Sequence, residues 1–110
     1  MIGGNMVASL QVKRKIKNEL GEVVNDFQTV MTLTGWLDFT GGNADYKSKY
    51  KGKLEETTHV FMCDYTDIPY KAADCRLIVN CEVFDVLLID NPMNLNKHLE
   101  ILLKYNEVIK

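Results

Sequence analysis

Apolar residues are densest between Cys75 and Tyr105, in the segments CRLIVN, EVFDVLLID and KHLEILLKY, which marks this stretch as the centre of the core. Leu77, Ile78 and Val79 precede Asn80-Cys81, and Val83, Phe84, Val86, Leu87, Leu88 and Ile89 follow it. Two β-rich runs separated by two residues predict a hairpin closed by a tight turn of the primed type. Asn80 suits that turn because Asn tolerates positive φ. Cys81 stands where Gly is favoured, and its Cβ at positive φ costs about 1 kcal/mol. Beyond Asn91-Pro92 the spacing supports two different elements. Leu95, Leu99, Leu102 and Leu103 fit a helix capped by Asn91 with proline at its first position. Leu99, Ile101, Leu103 and Tyr105 alternate with His98, Glu100, Leu102 and Lys104 as a strand does. Spacing alone leaves both open.

The preceding sequence alternates with period two. The first nine residues come before the regular pattern and are expected to be flexible. Leu10, Val12 and Ile16 interleave with Gln11, Lys13, Lys15 and Lys17, which predicts a half-buried strand with a basic outer side. Asn18-Glu19-Leu20-Gly21 breaks the pattern, and Gly21 suits the left-handed position of a short hairpin loop. The run from Glu22 to Phe39 is too long for an ordinary strand, so a bend or bulge is expected, with Gly35 as the place for it. Residues 41–56 lack buried periodicity and read as an exposed, flexible loop. Thr58, Val60 and Met62 alternate with His59, Phe61 and Cys63 in a further strand, and Tyr65 to Asp74, containing Pro69, connects it to the central hairpin. The chain is therefore expected to be all-β, a small antiparallel β-barrel of five to six strands with one long flexible loop.

Length agrees with that reading: 110 residues make one domain able to bury roughly two thirds of its unfolded surface. No apolar run approaches the roughly 20 residues of a membrane span, and MIGGNMVASL lacks the basic start and long apolar stretch of a signal peptide. Residence in the cytoplasm is expected. A net charge of −2 excludes a strongly cationic nucleic-acid binder but leaves room for a local basic strip. Cys63, Cys75 and Cys81 have no CxxC spacing and read as free thiols.

The candidate chemistry is sparse. His59 and Cys63 share a strand side, but no pair has the spacing that makes a zinc site credible, so no metal is expected. Asp64, Asp67, Asp74 and Asp85 lie in turns or beside polar residues, where solvated carboxylates are the ordinary reading. GxSxG, HExxH and a phosphate-binding glycine loop are all missing from the sequence, and the expectation is a protein that is not an enzyme and needs no cofactor. The most suggestive segment is the loop bearing Tyr46, Lys47, Lys49, Tyr50, Lys51 and Lys53, whose lysines can reach phosphates and whose tyrosines can stack on bases or bury in a partner. The bland alternative is a solvated loop. Trp36 reads as a core or barrel-edge residue.

Three segments taken together resemble the bacteriophage head-closure proteins, also called head-completion or stopper proteins, most closely the small XkdH-type proteins of PBSX-like prophages. They are LTGWLDFTGG at Leu33 to Gly42, ETTHVFMCDY at Glu56 to Tyr65, and CRLIVNCEVFDVLLIDNPMNLNKHLEILLKY at Cys75 to Tyr105. The match spans most of the chain after about Gln11 and lies in the order of many weak features. Cys81 replaces the usual Gly of the hairpin, and Phe84 a common Tyr. The resemblance implies that His98 to Tyr105 is a strand. It also implies a structural protein of the phage head–tail connector, present in the bacterial cytoplasm during assembly and then in the virion neck. Its partners would be further copies of itself in a ring, dodecameric in the assembled neck, with a portal or adaptor protein on the head side, a tail-completion protein on the tail side, and packaged DNA held without sequence preference. Exposed strand edges and the long hairpin would serve lateral contacts. The Tyr46 to Lys53 loop would face the DNA channel, where weak contacts multiply around a ring. Lys13, Arg14, Lys15 and Lys17 form the rival basic site.

The runner-up from another class is an OB-like barrel binding single-stranded nucleic acid through Trp36, Tyr46 and Tyr50. Another neck or tail-terminator protein is a nearer competitor, and a small hydrolase a remote one.

Overall fold

The computed structural model describes residue 4 and residues 6–39 and 57–108. Six antiparallel strands follow the alternation read in the sequence: β1 (Met6–Lys17), β2 (Val23–Phe39), β3 (His59–Asp64), β4 (Cys75–Val79), β5 (Glu82–Asp90) and β6 (His98–Val108). They close into a barrel in the order β1-β2-β3-β6-β5-β4. β1 starts at Met6, within the first nine residues, because Ala8 is buried between its partners Leu33 on β2 and Val79 on β4. Alternate side chains point inward, and Leu10, Phe61, Leu77, Phe84 and Ile101 are fully buried at the centre. The core therefore draws chiefly on β1, β3, β4, β5 and β6, with Leu33 contributed by β2. A second, smaller apolar cluster joins Val60 and Leu102 to Met62, Leu87 and Leu88.

The β4–β5 hairpin has the expected two-residue loop, with φ of 50° at Asn80 and 62° at Cys81. Val79 pairs with Glu82 across it. Cys81 thus adopts the left-handed backbone in spite of its Cβ, because the pairing of the two flanking strands outweighs a local penalty of about 1 kcal/mol.

After Asn91 the backbone makes only a single 3-10 turn, Pro92–Asn94, and then enters β6. The strand reading is the right one. The turn is tied by Asn91, whose Oδ1 accepts from Asn96 N at 3.1 Å and whose Nδ2 donates to Asn96 Oδ1 at 2.7 Å. With β3 on one side and β5 on the other, β6 pairs along both edges, a non-local gain that local helix propensity does not match.

The bend in the long second strand lies elsewhere than expected. The register slips between Leu10 and Gln11, which pair with Met31 and Thr29, so Val30 is the extra residue of a bulge. Gly35 has a different task. It pairs with Cys63, and a Cβ built on it would collide with the carbonyl oxygen of Met62. The glycine permits close approach of β2 to β3.

Candidate functional site

The barrel is closed, but β1 and β2 run on past it. β1 pairs with β4 only from Ala8 to Val12, and β2 pairs with β3 only from Gly35 to Phe39. Lys13 to Lys17 and Val23 to Phe27 continue to pair with each other and form a two-stranded arm. Five residues of strand give that arm a length of about 17 Å. Its tip is fixed by Asn18, whose Oδ1 accepts from Leu20 N at 2.9 Å and from Glu22 N at 3.0 Å, and by Gly21 at φ 80°. Leu20 stands out at the tip, 82% exposed, and Val23 beside it is 63% exposed.

Lys13, Arg14, Lys15 and Lys17 are all exposed on this arm. They divide between its two sides. Lys13, Lys15 and Lys17 alternate onto one side, opposite Phe27, Asn25 and Val23, whereas Arg14 lies on the other side, opposite Asp26. Lysines two residues apart on a strand are about 6.8 Å apart. That is about twice the 3.4 Å axial spacing of phosphates along one DNA strand, so the row can follow a nucleic-acid backbone.

Arg76, which no pattern in the sequence singles out, continues the lysine side onto the barrel. Its Nε donates to Gln11 Oε1 at 2.7 Å, Gln11 Nε2 donates to Thr29 Oγ1 at 3.1 Å, and the guanidinium carbon lies 4.0 Å from the centre of the Phe27 ring. A basic row with an aromatic ring at its base can hold an anionic polymer.

The other expected site, Tyr46, Lys47, Lys49, Tyr50, Lys51 and Lys53 within residues 41–56, lies outside the described residues. Trp36 is 47% exposed, on the outer side of β2 across from Met62. It sits at the barrel surface and not in the interior.

His59 and Cys63 do share the inward side of β3, but four residues of extended chain separate them by about 13 Å. No dyad forms. Burial, and then the neighbouring Asp64 carboxylate, pushes the Cys63 thiol up to about 11, which keeps it protonated and unreactive. Cys75 is raised for the same reasons, burial first and Asp74 second. All three cysteines are free. Among the described residues no group of His, Cys, Asp and Glu is arranged to hold a metal ion. His59 packs edge-on against Phe39 and Phe84, with ring centres 5.4 Å and 4.9 Å away. Its Nδ1 lies 2.9 Å from Thr58 Oγ1, which also accepts from Tyr105 N at 2.7 Å. Burial holds this histidine below its ordinary value, opposed by the Glu82 carboxylate.

An open pocket of about 390 Å³ lies where β3 and β5 run out, at the end of the barrel from which the arm projects. Tyr65, Tyr70 and Asp67 border it, with Leu88, Ile89 and Leu99 among its apolar lining.

A solved relative in shape exists. Protein SF1141 from Shigella flexneri 2a, determined in solution, superposes with a TM-score of 0.70 over 94% of this chain and 93% of its own, at 14% identity. At that identity the likeness is one of fold. No family model matches the sequence, and no curated protein matches it. No helix among the described residues is long and apolar enough to cross a membrane.

Proposed function

We propose that this chain is a structural, non-enzymatic protein of the phage head–tail connector that closes the DNA-filled capsid and offers a docking surface to the tail. The observation that carries this reading is a closed barrel bearing a projecting arm with a lysine row on one side. Closure supplies a rigid body, because all six strands pair in one ring. The arm supplies reach and positive charge on a chain whose net charge is −2. The sequence resemblance supplies the setting: a ring of copies below a portal or adaptor, with a tail-completion protein beyond it and DNA in the central channel.

In this reading Lys13, Lys15 and Lys17 face the DNA. Each contact is weak and independent of sequence, and repetition around a ring turns it into retention. The loop bearing Tyr46, Lys47, Lys49, Tyr50, Lys51 and Lys53, the first expectation from the sequence, lies outside the described residues and stays a candidate for the same role. Gold-labelled antibody against the chain tests the placement. Label between head and tail supports it, and label elsewhere or only on free protein rejects it.

A second reading, a barrel that binds single-stranded nucleic acid, draws on Phe27 and Arg76 beside the lysines. Steep, salt-dependent binding of oligonucleotides by the purified protein would favour it.

A further inference from the structure

The arm leaves two strand edges without a partner among the described residues. On β1 the free edge runs from Lys13 to Lys17, beyond the pairing with β4. On β2 it runs from Val23 upward to Thr34, below the pairing with β3. Among the described residues no backbone–backbone hydrogen bond outside the sheet engages either edge, and Phe27 N, in the middle of the β2 edge, donates to the carboxylate of Asp26 at 2.8 Å, which an added strand must displace. Unpaired N–H and C=O groups along such an edge form a template for another strand. A two-stranded ribbon is also marginal by itself, and becomes independently stable when further strands join it.

The chemistry of the two edges differs. Within the arm, β1 carries Lys13, Arg14, Lys15 and Lys17, and the facing β2 segment from Val23 to Thr29 carries Asp26 as its one charge, with Glu22 just before it. Pairing β1 with a second β1 would oppose cations, and centring β2 on a second β2 would set Asp26 against Asp26. Like charges directly across a sheet are destabilising. Pairing β2 of one copy with β1 of the next opposes unlike charges and keeps the antiparallel order of the arm. It also keeps the sides in register: Asp26 and Arg14 share a side of the ribbon, so Asp26 would lie between its own Arg14 and the Arg14 of the neighbouring copy. The lysine row lies on the opposite side and is left uncovered.

We propose that the partner of the arm is a second copy of this chain, joined head to tail by strand addition of the Val23 to Thr29 edge onto the Lys13 to Lys17 edge. Such a contact uses two different patches, so it propagates into a ring or an open filament. It shares the expectation of self-association with the neck reading and deepens its choice of partner. It rests on the edges themselves, so failure of the neck assignment in the virion leaves it standing, and a monomer in solution overturns it alone.

The test is sedimentation velocity of the full chain at low salt from micromolar to near-millimolar concentration. Wild type is expected to self-associate, and Asp26→Arg or Arg14→Asp to weaken association by about tenfold or more, a change of about 1.4 kcal/mol. Both positions are exposed, so near-UV circular dichroism should show an unchanged barrel. Mixing the two variants restores unlike charges only between chains and leaves each chain's own arm unrepaired, so the mixture should assemble. A monomeric wild type, variants that assemble as wild type does, or a mixture that stays monomeric would each overturn the proposal.

Discussion

Arg76 lies over the ring of Phe27, its guanidinium carbon 4.0 Å from the ring centre, and so ties the start of β4 to the base of the arm. The same side chain donates to Gln11 on β1. One residue thus bridges to both strands of the arm where they leave the barrel. Arg76→Ala removes a cation–π contact and a charged hydrogen bond, and should cost about 1–2 kcal/mol by urea titration. Amide exchange should quicken from Gln11 to Lys17 ahead of the barrel strands. Unchanged exchange there would mean that the arm holds its geometry without Arg76.

Gly35 tests the barrel itself. Gly35→Ala drives a methyl group into the carbonyl of Met62, and β2 must separate from β3 to admit it. The expected loss is about 1–3 kcal/mol, the range of an overpacked interior. Thermal unfolding measures it, and a melting point equal to wild type would contradict the close approach.

Cys81 offers the opposite sign. Cys81→Gly relieves a Cβ at φ 62° in a turn that favours Asn-Gly, and should stabilise the chain by up to about 1 kcal/mol. The entropy of glycine in the unfolded chain offsets part of that gain. A lower melting temperature for the variant would show that the Cys81 side chain makes a compensating contact.

His59 sets a pH dependence. Burial lowers its folded value below the unfolded 6.5, with Glu82 opposing, so between the two values the unfolded chain holds more protons than the folded one. Stability therefore rises with pH up to about 6.5 and declines as pH falls below it. Urea midpoints at pH 7.5 and pH 5.5 should differ in wild type, and His59→Gln should narrow the difference. An equal pH response in that variant would assign the effect to other groups.

The lysine row can be probed with DNA. The triple variant with Lys13, Lys15 and Lys17 replaced by Glu should keep the barrel and bind duplex DNA more weakly. Its slope of log affinity against log salt should be shallower, by about 0.9 for each phosphate that the variant leaves unneutralised. Wild-type affinity and slope in the variant would remove the arm from DNA binding.

Much of the fold was legible because β1, β2 and β3 carry their own alternation, with Leu10 and Val12, Leu33 and Leu37, and Phe61 and Cys63, and because β4 and β5 are short apolar runs on either side of a two-residue turn. The last strand was not legible from spacing, since Leu95, Leu99, Leu102 and Leu103 also satisfy helical periodicity; the family resemblance implied the strand, and pairing with β3 and β5 bears it out. The bulge at Val30 escaped for a similar reason: its position depends on the register with β1, and Gly35, the residue that seemed to mark it, is required for interstrand contact instead. Of the candidate site, the lysines of β1 were visible. Arg76 was not, because Phe27 and Gln11 come beside it only when the sheet closes. The free edges of the arm were equally hidden, since they depend on where β3 and β4 stop.

The most direct measurement of the central claim is electron microscopy of particles made after deleting the gene for this chain from its parent phage or prophage. The neck reading expects capsids that package DNA and then lose it, beside unattached tails. Normal tailed, DNA-filled particles would contradict it and turn attention to the nucleic-acid-binding barrel.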